Sequence, residues 1–506
     1  MKKLLCVLLS LLMLAGLAAL PAGALKDSVA PSGAVSAEEP LGYGSVTLSA
    51  GTGAYTYGLR ANDSMSRALT AALKAVKNYQ SVLDISGYNI PVSRAGELLS
   101  SLIYDNPELY FMSNTMRYSY YEEDNTIAEL MFTYVISKSK LPQEQKKYEA
   151  AVSSLLKQAQ DLPTDMEKAL VMHDAIALNC EYDETAGDND VFPYNSYGCL
   201  VSQKAVCQGY AIAYKDLMNR LGIDCIVVAS DEMDHAWNMI KLGTCWYHVD
   251  ITWDDPVSDT LGYAGHNCFL KSDAAISSGY YAHTGWTSPY KASDKSYDKA
   301  FWNDIESAIV PLNGKYYYTD SNFNLWARDM SANRAEKLNA SLGQWPVWGE
   351  SENYNISFAS VAAGINVIYY NTRDKIYAYY PLSGISKEVF TADTATGYIY
   401  GIAFRNGKLA YTLKQVPYTQ DTIYYTTIKA GDRTVVEPYS KGDPTGDGYI
   451  KLEDVLYIQK DIARLLTFNA KEINAADVNS DGTVSVRDAV ELQKLIAGII
   501  EGFEAA

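Results

Sequence analysis

Residues 198–256, GCLVSQKAVCQGYAIAYKDLMNRLGIDCIVVASDEMDHAWNMIKLGTCWYHVDITWDDP, carry a thiol, an imidazole and a carboxylate in close succession. After Cys207, segment 208–221 sets Ala211, Tyr214, Leu217, Met218 and Leu221 at helical spacing, and Gly222 ends it. Cys207 is therefore expected at a helix N-terminus. Unpaired backbone N–H groups there favour thiolate over thiol and can hold a developing oxyanion.

The β-branched run 225–229 reads as a buried strand, 230–234 as a polar turn, and 236–242 with 245–253 as a hairpin about Gly243. His235 and Asp250 then share one face. A Leu242-Gly243 loop sets them directly opposite; a Gly243-Thr244 loop moves Asp250 to the diagonal. A carboxylate accepting from one imidazole nitrogen fixes the tautomer and turns the other nitrogen to the thiol. Cys207, His235 and Asp250 are thus the candidate catalytic residues for acyl transfer through a thioester.

The strings YGCLVSQKAVCQGYAIAY (197–214), DHAWNMI (234–240) and WYHVDITWDDP (246–256) resemble the three motifs of the bacterial transglutaminase-like superfamily, over roughly residues 160–290. That resemblance implies a papain-like thiol fold, with Cys207 as nucleophile, His235 as general base and acid, and Asp250 orienting the histidine. The family includes crosslinkers, peptidases and amidases, so water and an amine both stand as acceptors.

Lys2 and Lys3, a leucine-rich stretch over 4–20 and Ala22-Gly23-Ala24 have the pattern of a secretory signal peptide, residues 1–24, with Ala37 as a second cleavage choice. As a membrane anchor the stretch is of marginal length, and no other stretch could span a bilayer. The mature chain is expected outside the cell, at its surface or within a complex. A net charge of -18 and a pI near 4.8 argue against nucleic acid as a partner.

Residues 25–60 read as a linker and 61–159 as an α+β support domain, with helices over 63–83, 93–103 and 143–160 and a hairpin of 116–121 with 127–135. The catalytic domain, 160–295, opens on a helix over 164–178 with Thr164 and Glu167 as a capping box. Tyrosine-rich segments at 314–320, 367–371, 375–380 and 422–427 mark a β-rich domain over 300–437. They recur at about 50 residues, as propeller blades do, but three units are too few for closure. Exposed tyrosines would offer carbohydrate or peptide contact by stacking; a tyrosine-rich core is the competing reading.

Six cysteines lie outside the leader: Cys180, Cys199, Cys207, Cys225, Cys245 and Cys268. With Cys207 free the remainder is odd, no CxxC pair occurs, and Cys199, Cys225 and Cys245 read as core thiols. Gln203 and Gln208 are candidate oxyanion donors. His173 reads as a packed or capping residue; His248 alternates with Asp250 on one strand and either lines the cleft or, the favoured reading, is structural; His266 and His283 are not singled out as site residues.

Residues 443–454, DPTGDGYIKLED, and 477–488, DVNSDGTVSVRD, are two copies of one loop. Each puts oxygen ligands at positions 1, 3, 5 and 12 and a glycine at 6, the pattern with which a loop surrounds calcium. The first offers Asp443, Thr445, Asp447 and Asp454 with the Tyr449 carbonyl; the second offers Asp477, Asn479, Asp481 and Asp488 with the Thr483 carbonyl. One helix follows each loop and none precedes it. Residues 441–503 thereby resemble a type I dockerin, the module that binds a scaffoldin cohesin in cellulosome-like assemblies.

That resemblance implies two Ca2+ ions and a cohesin partner read by Leu452, Glu453, Gln459 and Lys460 in the first half and by Val486, Arg487, Gln493 and Lys494 in the second. Thr445 stands where Asn or Asp is usual, which predicts a weaker first site. The loop pairs differ in charge, which predicts one preferred cohesin-binding face.

The expected fold class is multidomain α+β: a papain-like, transglutaminase-like core, a Tyr-rich all-β domain and a small α calcium-binding dockerin. The expected function is that of a secreted, cellulosome-type enzyme attacking peptide or amide bonds of a protein or peptide substrate. The alternatives are protein-glutamine crosslinking and a non-catalytic adaptor. Glycoside hydrolysis has no paired-carboxylate motif to support it.

Overall fold

Asp63 starts the first helix by accepting the N–H groups of Met65 and Ser66 at 2.7 and 3.2 Å, which satisfies two orphan donors of Ser64–Lys77. The helix ends at Lys77, short of the expected 83, because Val82–Asp84 is a strand paired with Thr126–Met131. A computed structural model describes residues 41–48, 63–187, 190–255, 257, 260–339, 341–345, 357–415, 422–429, 436–500 and 502–503. The leader, and the linker except 41–48, lie outside these residues.

Four antiparallel strands, Leu41–Thr47, Thr115–Tyr121, Thr126–Met131 and Val82–Asp84 in that spatial order, form the first sheet. The helix expected over 93–103 is Ala95–Tyr104. No side chain caps its start; Arg94 and Glu97 pair across its first turn at 2.5 Å. Helix Leu141–Leu156 follows, then Asp165–Asn179, whose cap Thr164 accepts the Glu167 N–H at 3.2 Å.

These elements share one apolar core with the residues beyond 160. Met65, Leu98, Tyr104 and Tyr148 belong to the same buried cluster as Leu170, Tyr210, Tyr214, Val227, Ile240 and Phe269. Each such side chain contributes about 1.5–3 kcal/mol on burial. Polar ties cross the same boundary: Tyr148 Oη donates to Asp216 at 2.7 Å, Lys215 Nζ to Asp105 at 2.7 Å, and Arg220 binds Glu149 through two N–H groups at 2.8 and 2.9 Å. All three partners sit on one helix, Cys207–Arg220, which is thereby held from both sides.

A second antiparallel sheet backs that helix in the order Phe269–Lys271, Cys245–Val249, His235–Leu242, Cys225–Ser230. The tyrosine-rich region forms three successive antiparallel meanders: 310–339 with four strands, 361–391 with four, and 398–429 with three. Most of its tyrosines are core. Tyr316, Tyr317, Tyr369, Tyr370, Tyr380 and Tyr400 are buried, whereas Tyr424 and Tyr425 on the last strand are exposed.

The C-terminal module packs helices Leu452–Ile462 and Val486–Ile496 over Ile450, Val455, Ile458, Phe468, Ala489 and Leu492. Contrary to the expectation that no helix precedes a loop, a short helix, Ala470–Ala476, capped by Asn469, runs directly into the second loop at Asp477. Its first loop rests on the second meander. Lys387 Nζ donates to the Gly446 carbonyl, and Tyr380 Oη to that of Gly448 at 3.4 Å.

Candidate active site

Cys207 is the first residue of its helix, preceded by Val206 in extended conformation with no side-chain cap. The N–H groups of that first turn have no intrahelical acceptor. Gly209 lets the turn sit tightly against 193–195: a Cβ there would meet the Pro193 carbonyl oxygen at 2.4 Å.

Strand Cys225–Ser230 pairs with His235–Leu242, which puts His235 beside Ser230. Across the hairpin Leu242 pairs with Cys245, leaving Gly243-Thr244 as the loop with Gly243 at φ 59°. Of the two expected registers this is the one that sets Asp250 on the diagonal from His235. The second arm stops at Val249 rather than 253, because Asp250 caps the short helix Ile251–Asp254 and its Oδ1 accepts the Trp253 N–H at 3.3 Å.

His235 Nε2 donates to Asp250 Oδ2 at 2.7 Å, and Cys207 is near enough to the same imidazole to favour its charged form. With Nε2 on the carboxylate, Nδ1 is the nitrogen left for sulfur. Cys207 is 2% exposed, His235 6% and Asp250 1%. Burial pushes His235 down, but the Asp250 charge, and after it Cys207, outweigh this and raise its pKa to about 10. Burial pushes Asp250 up, and the His235 and His283 imidazoles more than reverse it, holding the carboxyl well below its ordinary range.

Aromatic rings enclose the imidazole. Trp237 stacks on His235 at 5.7 Å and 18°, and Trp253 lies 5.5 Å from it. Trp237 Nε1 donates to His248 Nδ1 at 3.0 Å, and His248 Nε2 donates to Asp273 at 3.0 Å. His248 therefore anchors the indole that packs on His235.

His283 occupies a position no spacing in the sequence connects to the site. Its Nε2 also lies 2.7 Å from Asp250 Oδ2, while its Nδ1 faces the Tyr281 carbonyl at 2.8 Å. Beneath the Ile251–Asp254 helix runs a second buried network. His173 bridges Asp174 (2.9 Å) and Asp254 (3.2 Å), and His266 bridges Asp174 (2.9 Å) and the Ile305 carbonyl (2.9 Å). Burial opposes a charge on His173, but the two carboxylates win and lift its pKa to about 9.

The candidate oxyanion donors do not join this cluster. Gln203 is exposed, at φ 58°. Gln208 is fully buried with both amide atoms unpartnered, in a cavity lined by Ile103, Asn106, Tyr110 and Tyr194. The backbone N–H groups at the helix start remain as donors. Cys180, Cys199, Cys225 and Cys268 are buried, Cys245 is half-buried, and all five are free thiols, as is Cys207.

The two C-terminal loops repeat bond for bond. Asp443 Oδ1 accepts from Asp447 N at 3.1 Å and its Oδ2 from Gly448 N at 2.8 Å; Asp477 does the same with Asp481 N and Gly482 N, both at 3.1 Å. Asp454 Oδ2 accepts from Lys451 N and Asp488 Oδ2 from Ser485 N, each at 2.9 Å. All four carboxylates are buried, and burial lifts Asp443 to about 6.

The Thr445 hydroxyl lies between Asp443 Oδ1 (3.1 Å) and Asp454 Oδ1 (2.7 Å), inside the loop, and Asn479 has a buried unpartnered amide nitrogen at the matching position. Inward oxygens gathered in this way suit a hard divalent cation, and the nearest counter-charge to Asp477 is Lys441 Nζ at 3.8 Å. Asp447 departs from this set by pairing with Lys451 Nζ at 2.6 Å. Leu452, Glu453, Gln459, Lys460, Val486, Arg487, Gln493 and Lys494 are all exposed.

Comparison with known proteins agrees with this layout. The model of the transglutaminase-like superfamily matches residues 153–251, and that of the dockerin type I domain matches residues 441–497. The Kyphoscoliosis peptidases of Mus musculus and Homo sapiens are 32% and 31% identical over 124 and 125 residues, 22% of this chain in each case. The chain spans 18% of the length of these curated relatives. A crystal structure described as a TGase aligns at 16% identity and a TM-score of 0.21, over 25% of this chain and 41% of that one. The chain thus carries a transglutaminase-like domain and a type I dockerin. Such dockerins bind calcium and dock on cohesins, which marks a cellulosome-type component.

Proposed function

We propose that this chain is a secreted thiol hydrolase of peptide or isopeptide bonds, with Cys207 as nucleophile, His235 as general base and acid, and Asp250 as the orienting carboxylate. The supporting observation is the 2.7 Å bond from His235 Nε2 to Asp250, which leaves Nδ1 to the thiol at the helix start. His235 already holds the thiol proton on Nδ1 as an imidazolium, and the Cys207 thiolate attacks the carbonyl carbon. The first-turn N–H groups hold the oxyanion. Collapse breaks the C–N bond, the imidazolium gives its proton to the leaving amine, and a thioester remains. Water then loses a proton to Nδ1 and attacks the thioester; the acid is released, sulfur leaves as thiolate, and the thiolate–imidazolium pair is restored.

The peptidase name of the curated relatives favours water as acceptor. The cover of Trp237 and Trp253 over His235 favours the second reading, in which an amine replaces water and the product is a crosslink. Incubating the mature protein with a mixed peptide library, with and without a primary amine, separates the two. New peptide termini mean hydrolysis, incorporated amine means transfer, and neither means the fold serves as a non-catalytic adaptor.

Asp250→Asn should lower kcat by about 10^3- to 10^4-fold while Cys207 still alkylates slowly, because an amide cannot stabilise the imidazolium. Stopped assays of both quantities on one preparation check this. At the C-terminus, Asp443, Thr445, Asp447, Asp454 and the Tyr449 carbonyl are the proposed first calcium shell, with Asp477, Asn479, Asp481, Asp488 and the Thr483 carbonyl as the second. The cohesin then meets the exposed positions of the two long helices. Exchanging Glu453 and Arg487 should change cohesin affinity by about tenfold, as measured by calorimetry, since charge complementarity selects one face.

A further inference from the structure

We propose that His283 is a positioning residue of the thiol site, a doubly protonated imidazole that shares Asp250 with His235 and balances the Cys207 thiolate. The inference rests on the thiol reading above. Its starting point is hydrogen-bond valence. His283 Nδ1 faces the Tyr281 carbonyl at 2.8 Å and Nε2 faces Asp250 Oδ2 at 2.7 Å. A carbonyl oxygen can only accept, and so can an ionised carboxylate. Both ring nitrogens must then donate, which needs both protons. The ring is 0% exposed, so bulk water does not take the place of either partner.

The surroundings fit a cation. Trp253 and Trp237 lie 4.4 and 4.7 Å from the ring, within the range at which an indole attracts positive charge. The titratable neighbours are His235 at 5.7 Å, Asp250, and His248 with Asp273 behind it. Glu232 binds Thr284, the next residue in the chain, at 3.2 Å.

Charge counting gives the consequence. Thiolate, His235 imidazolium and Asp250 carboxylate sum to one negative charge in a buried site; a His283 cation brings the sum to zero. Net charge is costly where water is excluded, so His283 favours the ionised nucleophile. The same two bonds pin Asp250 Oδ2 from a second side, which fixes the oxygen that orients His235.

Removing a cation raises the pKa of every neighbour. Both limbs of the pH profile should therefore move to higher pH when His283 becomes glutamine, which keeps a donor but no charge. The experiment is iodoacetamide alkylation of Cys207 against pH in the full chain, with His283→Gln and His283→Lys. The glutamine variant should shift the acid limb up by about 1 pH unit, a roughly tenfold slower reaction on that limb, and the lysine variant should restore it. An unshifted limb in a folded His283→Gln protein overturns the proposal.

If that variant does not fold, the full chain with Cys207→Ala decides. Nitrogen-15 spectra of its five histidines should show His283, told apart from His235 by the contact of its Nδ1 with Tyr281, doubly protonated at neutral pH. A single proton on the ring overturns the inference. Failure of unsubstituted Cys207 to label would instead overturn the thiol reading, and the imidazole spectra would still decide His283.

Discussion

Replacing Cys207 by alanine should lower turnover on any substrate by about 10^4-fold or more, with the thermal midpoint nearly unchanged. The thiol is the only group in the cluster that can form the thioester; His235 and Asp250 both act through it. Cys207 is buried at a helix start, and alanine there removes one sulfur from a small residue; only His235 Nδ1 loses a partner, and that ring can shed its extra proton. Activity assays beside circular-dichroism melting check both halves. Turnover that survives within tenfold would sink the proposed mechanism, and a collapsed melting point would show that the thiol is a packing residue.

Removing calcium should abolish cohesin binding and melt the C-terminal module. Four buried carboxylates, Asp443, Asp454, Asp477 and Asp488, face inward over a core of few apolar side chains, so little else holds the loops. At a calcium concentration about 1,000 times its dissociation constant, each ion adds roughly 4 kcal/mol to such a module. Surface plasmon resonance on a cohesin with and without chelator should show affinity falling by about 10^3-fold or beyond detection.

The pH dependence has a defined sign. Burial raises Asp443 to about 6 in the metal-free loop, so ionisation above that pH costs stability until a cation arrives. Calcium must displace the proton below that value. Calcium affinity should therefore fall as pH drops through about 6, and metal-free stability should fall as pH rises through the same range. Calcium titrations at pH 5 and 7.5 test this; equal affinities would contradict it. Because the first loop also contacts Lys387 and Tyr380 of the second meander, loss of calcium should loosen that contact as well.

Local chemistry was readable residue by residue. Helix Cys207–Arg220, strand Cys225–Ser230 and a turn at Gly243 follow from helical spacing, β-branching and the glycine, each a property of a few neighbouring residues, whereas the choice of Gly243-Thr244 over Leu242-Gly243 came from the pairing of the strands. The two C-terminal loops follow in the same way, since a calcium loop is a contiguous twelve-residue device. The end of the first helix was not readable. Residues 78–84 have enough apolar content to continue it, and only the pairing of Val82–Asp84 with Thr126–Met131 makes them turn and strand.

Tertiary structure alone decided the rest. His283 reaches Asp250 across 33 residues of turns and short elements, Asp174 joins His266 across 92, and Gln208 turns away from the site although it adjoins Cys207. For both histidines the partner is far away in the chain, and the cavity around Gln208 is lined in part by residues about a hundred positions before it. Sequence periodicity reports which face of an element is buried, whereas a charge or hydrogen bond depends on what else is buried beside it, and that is set only when the sheets and helices have packed.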